Sequence, residues 1–139
     1  MPLPARTDGT CPPAPLVGGD PKHIFHIALT EDWEAAKRAG EYRVSTRGAS
    51  LEKVGFIHAS LRDQVERIGS SLYTPVSEPV IVLQIDPHRV SAPVRLENLE
   101  GGYELFPHIY VPLEIDAVVA TIPARVDGQR LIVEWDAVQ

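Results

Sequence analysis

A chain of 139 residues with 44% hydrophobic content is long enough for one buried core and too short for two domains. Its 13 Lys and Arg against 19 Asp and Glu leave a net charge of −6, which argues against an electrostatic grip on nucleic acid or an anionic membrane. No apolar run approaches the ~20 residues of a membrane span, and the first residues lack the basic start and apolar run of a signal peptide. One cysteine cannot form an internal disulfide or a multi-cysteine zinc site. The expectation is a cytoplasmic, single-domain protein with neither nucleic acid nor membrane as partner.

Residues 1–22 hold six of the 13 prolines and three of the ten glycines. Proline lacks a backbone donor and glycine raises the entropic cost of ordering, so this stretch, with Cys11 inside it, reads as a disordered tail. Residues 23–139 read as the folded domain. It opens with the strand His23–Leu29, rich in bulky apolar residues. Thr30 then reads as the N-cap of a helix that ends at Gly40, with Glu31, Asp32 and Glu34 early and Lys37 and Arg38 late, as the helix dipole favours. Trp33 and Ala36 mark its buried face. Ala49–Val54 suggests a further helical turn closed by Gly55, and Phe56–Ala59 a second, short strand.

Ser60 is the expected N-cap of a helix through Ile68, with Asp63 at the capping-box position and Leu61, Val65 and Ile68 as its buried stripe. Val80–Ile85 is apolar enough for a central strand, ended by Asp86-Pro87. Four strand-like segments follow: Val94–Glu97, Tyr103–Phe106, His108–Val111 and Ala117–Ile122. Arg125–Val133 completes a hairpin around Asp127-Gly128. Two or three short helices early and at least five strands later predict an α+β fold with a compact, bent, mainly antiparallel sheet. Helices do not recur between the later strands, and no glycine-rich phosphate loop is present, which excludes a Rossmann domain.

Three histidines lie inside apolar strand-like segments: His26, His58 and His108. A buried imidazole must find hydrogen-bond partners, so such placements are costly unless paired or used. His58 and Ser60 are two residues apart and share a face of an extended backbone, as do His108 and Tyr110. Glu97 shares a face with Arg95 and is the carboxylate available to such a site, as general base or acceptor of a ribose hydroxyl. Each has a plainer reading: a satisfied core histidine, an N-cap serine, a packed tyrosine, a surface glutamate. Trp33 and Trp135 read as core anchors, and His23 and His88 as exposed. Metal binding is a rival use of three histidines and a carboxylate, but no His-x-His or His-Glu-x-x-His spacing supports it, and no metal is expected. Ser60 lacks the Gly-x-Ser-x-Gly setting of a hydrolase nucleophile.

Phe25-His26-Ile27-Ala28, Trp33 to Tyr42, Gly55-Phe56-Ile57-His58-Ala59-Ser60 with Gln64, Leu83 to Asp86, and Phe106-Pro107-His108-Ile109-Tyr110-Val111-Pro112-Leu113 occur in that order. In these blocks the chain resembles the bacterial and plant family known as domain of unknown function 952, over about Ile24 to Thr121. Val111 departs from the glycine usual there. The resemblance implies a split sheet similar to that of the ADP-ribosyltransferases, which hold NAD without a Rossmann motif. On it, His26, His58 and Glu97 are the catalytic candidates, and Ser60, His108 and Tyr110 the ligand-binding ones. His26 would match the histidine that holds a ribose hydroxyl, and the block containing His58 and Ser60 would line the nicotinamide pocket. The glutamate normally found on a late strand has no convincing match; Glu97 and the region of His108 are the two candidates for that block. NAD would then be the substrate and Arg43, Arg47 and Arg95 the cations available to its phosphates. The rival is a non-catalytic module that recognises a nucleotide in the same cleft.

Overall fold

The computed structural model describes residues 22–46, 49–72, 78–98 and 104–137. The expected tail, apart from Lys22, lies outside the described residues, as do Arg47 and Tyr103. In chain order the first elements are β1 (Ile24–Leu29), α1 (Thr30–Ala39), β2 (Glu41–Tyr42), β3 (Val44–Thr46), β4 (Ala49–Ser50), α2 (Leu51–Val54), β5 (Ile57–His58) and α3 (Val65–Leu72). The rest are strands β6 (Val80–Ile85), β7 (Arg95–Glu97), β8 (Phe106–Ile109), β9 (Leu113–Glu114), β10 (Val118–Asp127) and β11 (Arg130–Val133), with short 3₁₀ turns between some of them.

The α+β expectation holds, and every strand pair among the described residues is antiparallel. A four-stranded sheet has the order β1-β6-β10-β11, and a three-stranded sheet the order β5-β8-β7. The two meet where Phe25 and Ser60 exchange backbone hydrogen bonds of 2.8 and 2.7 Å, an isolated bridge beside β1. A single bridge thus links these two sheets, while β2–β9 and β3–β4 form separate two-stranded ladders.

Alternation along β1 and β6 serves both faces of the larger sheet. Ile24, Ala28, Leu83 and Ile85 enter one apolar cluster, together with Ile57 and Ile109 from the smaller sheet. Phe25, Ile27, Val80 and Val82 enter a second cluster on the other face with Ile122, Leu131 and Val133. A strand buried on both faces needs a near-continuous apolar run, which Val80–Ile85 supplies.

Several local expectations change. Thr30 is the first helical residue rather than the N-cap, because β1 runs straight into α1 and the Pro79 carbonyl takes the Thr30 N–H at 2.9 Å. Gly40 ends that helix as expected, at φ 95°. Ser60 is not a cap either, since its backbone is committed to Phe25. The role passes one residue on: Gln64 Oε1 accepts from the Leu61 N–H at 2.8 Å, with Gln64 rather than Asp63 closing the first, 3₁₀ turn. The expected strands at 103–106 and 108–111 are the single strand β8, which carries Pro107. Pro107 needs no donor there, and its carbonyl accepts from the Ala59 N–H at 3.0 Å. Val111 causes no strain, since no described non-glycine residue has positive φ. In the β10–β11 hairpin, Asp127 pairs with Arg130, and the positive φ of 67° falls on Gly128, as a two-residue turn requires.

Helix α3 guards the outer strand. Glu66 and Ser70 are one turn apart and accept from the backbone N–H groups of Val133 and Leu131, at 2.9 and 2.8 Å. The rise of a helical turn roughly matches two strand residues, so two side chains satisfy an exposed edge. The helix comes this close because residue 69 is glycine: an added Cβ would lie 2.2 Å from Leu131 and 2.8 Å from Ile27.

Candidate functional site

The smaller sheet has one apolar and one polar face, and register decides which residues go where. Ile57 opposes Ile109 and Leu96 opposes Pro107; Ile57 and Ile109 are fully buried in the core. Residues one position along must point the other way. These are His58 opposite His108, Arg95 opposite that same His108, and Glu97 opposite Phe106. The sequence alternation thus collects two histidines, a glutamate and an arginine on one surface.

On that surface His108, 2% exposed, is fixed on several sides. Phe56 stacks on its ring at 4.2 Å and 29°. Its Nδ1 lies 2.9 Å from Glu97 Oε1, and a carboxylate can only accept, so Nδ1 carries the proton. The same Glu97 oxygen accepts from the Tyr110 hydroxyl at 2.5 Å. Partial burial, and then the bond to the Glu97 carboxylate, push the Tyr110 phenol up to about 12, so it remains a donor at neutral pH. The Arg95 guanidinium sits over the Tyr110 ring, 5.4 Å from its centre. The His58 ring meets the His108 ring edge-on at 5.6 Å.

Between this face and α3 lies a cleft of about 300 Å³. His58, Ser60, Phe106 and His108 line it on one side and Ile68, Ser71 and Leu72 on the other, with Thr46 beside them. It continues into a narrow recess of about 20 Å³ bounded by His26, Ser45, His58 and Ser60. That is room for one water molecule or one small ligand group. Ser45 is fully buried there, and its Oγ has no hydrogen-bond partner among the described residues.

His26 closes the junction of the two sheets. It is 3% exposed; its Nδ1 donates to the His58 carbonyl at 2.5 Å, and its Nε2 accepts from the Tyr42 hydroxyl at 2.9 Å. The carbonyl dictates the tautomer. Burial, which disfavours the imidazolium, lowers the His26 pKa from 6.5 to about 4, against the raising effect of the His58 carbonyl. His26 is therefore neutral at physiological pH and has both nitrogens engaged.

Of the residues expected at a site, His58, Ser60 and His108 line the cleft, and His26 reaches it through the recess. Glu97 and Tyr110 stand behind His108 and are absent from the cleft wall. Arg43 is tied to Glu41 and Glu52, whereas Arg95 lies on the polar face. Trp33 is buried as expected, and Trp135 is half-buried, edge-on to Phe25 at 5.3 Å and covered by the Arg62 guanidinium. Sequence reasoning passed over Tyr42 and Ser45. The signal for Ser45 was present in Val44-Ser45-Thr46, where β-branched neighbours mark a strand and alternation turns the serine inward. Among the described residues no group of three His, Cys, Asp or Glu side chains is placed to share a metal ion, and no helix is long and apolar enough to cross a membrane.

Fold and site together define an α+β protein of curled antiparallel sheets with a cleft that two histidines help to line, between the smaller sheet and α3. The chain belongs to the family described as protein of unknown function (DUF952), whose model matches residues 27–121. Two crystal structures of CC0527 from Caulobacter crescentus, one of a double mutant, are similar in fold with a TM-score of 0.67 at 23% identity, covering 82% of this chain and 95% of that one. The solution structure of CC0527 gives 0.63 at 24%, covering 85% and 91%. No curated protein matches the sequence.

Proposed function

We propose that the cleft binds a nucleotide of the NAD or ADP-ribose class, with ADP-ribosyltransferase-like chemistry as the activity such a ligand would serve. The observation that carries a ligand site is the buried Ser45 Oγ, unpartnered among the described residues, at the foot of a cleft whose wall mixes histidine and hydroxyl side chains with the apolar Ile68, Leu72 and Phe106. A buried hydroxyl left unpaired costs about 1–3 kcal/mol, which a bound polar group or water would recover. A volume of about 300 Å³ is at the lower end for ligand pockets and suits a nucleoside-sized part rather than a whole dinucleotide. Arg95, on the same face of the sheet as His108, is the cation available to a phosphate. The ligand class itself is supported by the resemblance of the ordered sequence blocks.

Glu97 bears on the choice between transferase and binding module. A carboxylate that favours an oxocarbenium-like centre must face it, and Glu97 meets the cleft only through His108. That favours recognition over glycosyl transfer by Glu97 itself. Calorimetry of the full chain with NAD and with ADP-ribose tests the reading. Binding weakened by Ser45→Ala and by His58→Ala is the expected result, and no heat at millimolar ligand with folded protein would refute it. Release of nicotinamide from bound NAD would select the transferase, and its absence the module.

A further inference from the structure

We infer that His108, held by Glu97, is the proton-accepting group of the cleft, and that Glu97 is a positioning residue rather than the reacting carboxylate. The inference rests on the reading that the cleft holds a ligand, and it concerns which atom meets that ligand's hydroxyl.

The geometry is specific. Nδ1 is committed to Glu97, and Nε2 is the remaining ring nitrogen, with no hydrogen-bond partner among the described residues. A neutral imidazole protonated at Nδ1 has a lone pair at Nε2 and can only accept there. Phe56 on the ring face and Glu97 at Nδ1 fix the ring, so that lone pair stays with the cleft wall that His108 forms. Ser60 and Thr46 line the same cleft, a polar setting for a hydroxyl brought beside Nε2.

The step is a reversible proton transfer. The O–H bond of a ligand hydroxyl or of a water breaks, an Nε2–H bond forms, and the electron pair stays on oxygen as the nucleophile. The imidazolium that results is stabilised by the Glu97 carboxylate at Nδ1, an arrangement that orients a general base without the carboxylate itself taking the proton. His26 cannot serve in this way, because Tyr42 occupies its Nε2. Tyr110 contributes by holding Glu97 in place.

Two readouts on the full chain test this without any substrate. Long-range proton–nitrogen correlation of the imidazoles should show His108 as the Nδ1–H tautomer, with Nε2 shifted as an acceptor. The Nε2–H tautomer would overturn the assignment. Glu97→Leu, which leaves no acceptor at Nδ1, should lose the single tautomer while thermal unfolding shows a folded chain, and a tautomer unchanged in that variant would remove Glu97 from its positioning role. Diethyl pyrocarbonate, which acylates neutral imidazole nitrogens whose lone pair is free, should modify His108 through the cleft and spare His26, equally buried but with its Nε2 taken by Tyr42. An unreactive His108 would overturn the inference, and wild-type protein suffices for this reading if the variant does not fold. Saturating ADP-ribose should abolish the His108 modification. Failure of ADP-ribose to bind defeats the nucleotide reading and leaves the histidine assignment standing on the ligand-free readouts. ADP-ribose that binds yet leaves His108 as reactive as before defeats the assignment and leaves the nucleotide reading.

Discussion

The four-stranded and three-stranded sheets use the same antiparallel ladder and spend it differently. In the first, strands of four to ten residues have apolar side chains on both faces, and β6 lies between two partners. In the second, strands of two to four residues keep only one face apolar and turn His58, His108, Arg95 and Glu97 to the other. Burial on two faces leaves no room for chemistry, and a polar face left open forgoes part of that burial. The protein places a stable platform beside a chemically equipped one and joins them through Phe25–Ser60 and His26.

The sharpest way to break the platform is at its centre. Leu83 is fully buried in β6, so Leu83→Ala should destabilise the chain by about 2–5 kcal/mol, through lost burial and the cavity left behind. Urea denaturation monitored by circular dichroism would measure it. A loss below about 1 kcal/mol would mean that the larger sheet is not the main source of stability.

The junction should respond to pH. The His26 pKa is lower in the folded chain, about 4, than the ordinary 6.5. Below about pH 6.5 the unfolded chain takes up a proton that the folded chain refuses, so stability falls as pH drops toward 4 and levels off below it. The full difference corresponds to roughly 3 kcal/mol. Urea midpoints for wild type and His26→Gln at pH 7 and at pH 4.5 would isolate it. The variant is expected to lose most of the difference between the two pH values, and an equal pH dependence in both proteins would show that His26 is not its source.

How far the sequence discloses this design depends on whether the signal is local. The apolar run of β6, the helix ending at Gly40 and the Asp-Gly hairpin are written in adjacent residues, and all are found. The three strand histidines were visible for the same reason, as polar rings in apolar runs. What was hidden depends on partners distant in the chain. Ser60 has the type and spacing of an N-cap, and only its pairing with Phe25, 35 residues earlier, shows otherwise. The role of Glu97 could not be read either, because its distance from the cleft is set by the register of β7 against β8. Tyr42 gave no local hint that its hydroxyl would meet His26.

A smaller effect is expected where α3 meets the platform. Gly69→Ala places a methyl 2.2 Å from a side-chain carbon of Leu131, a residue only 2% exposed. Leu131 must shift within a packed cluster, at a cost of about 1–3 kcal/mol. The same displacement would loosen the Ser70 and Glu66 bonds to β11, so amide hydrogen exchange at Leu131 and Val133 should accelerate in the variant. Unchanged protection there, together with unchanged stability, would show that the helix can stand off from the edge at no cost.

The smallest effect is expected on the polar face itself. Tyr110 is 38% exposed, and its hydroxyl donates to Glu97 at 2.5 Å. Tyr110→Phe removes that donor but keeps the ring under Arg95 and beside Phe56. Solvent can reach so exposed a position and replace the lost bond, so the change in stability should be about 0.5 kcal/mol or less. Glu97 keeps its bond to His108, and the His108 tautomer should therefore survive the substitution. Urea denaturation and the imidazole spectrum of the same sample measure both. A loss above about 2 kcal/mol would make this rim part of the platform. A changed tautomer at full stability would instead show that Tyr110 shares with Glu97 the task of orienting His108.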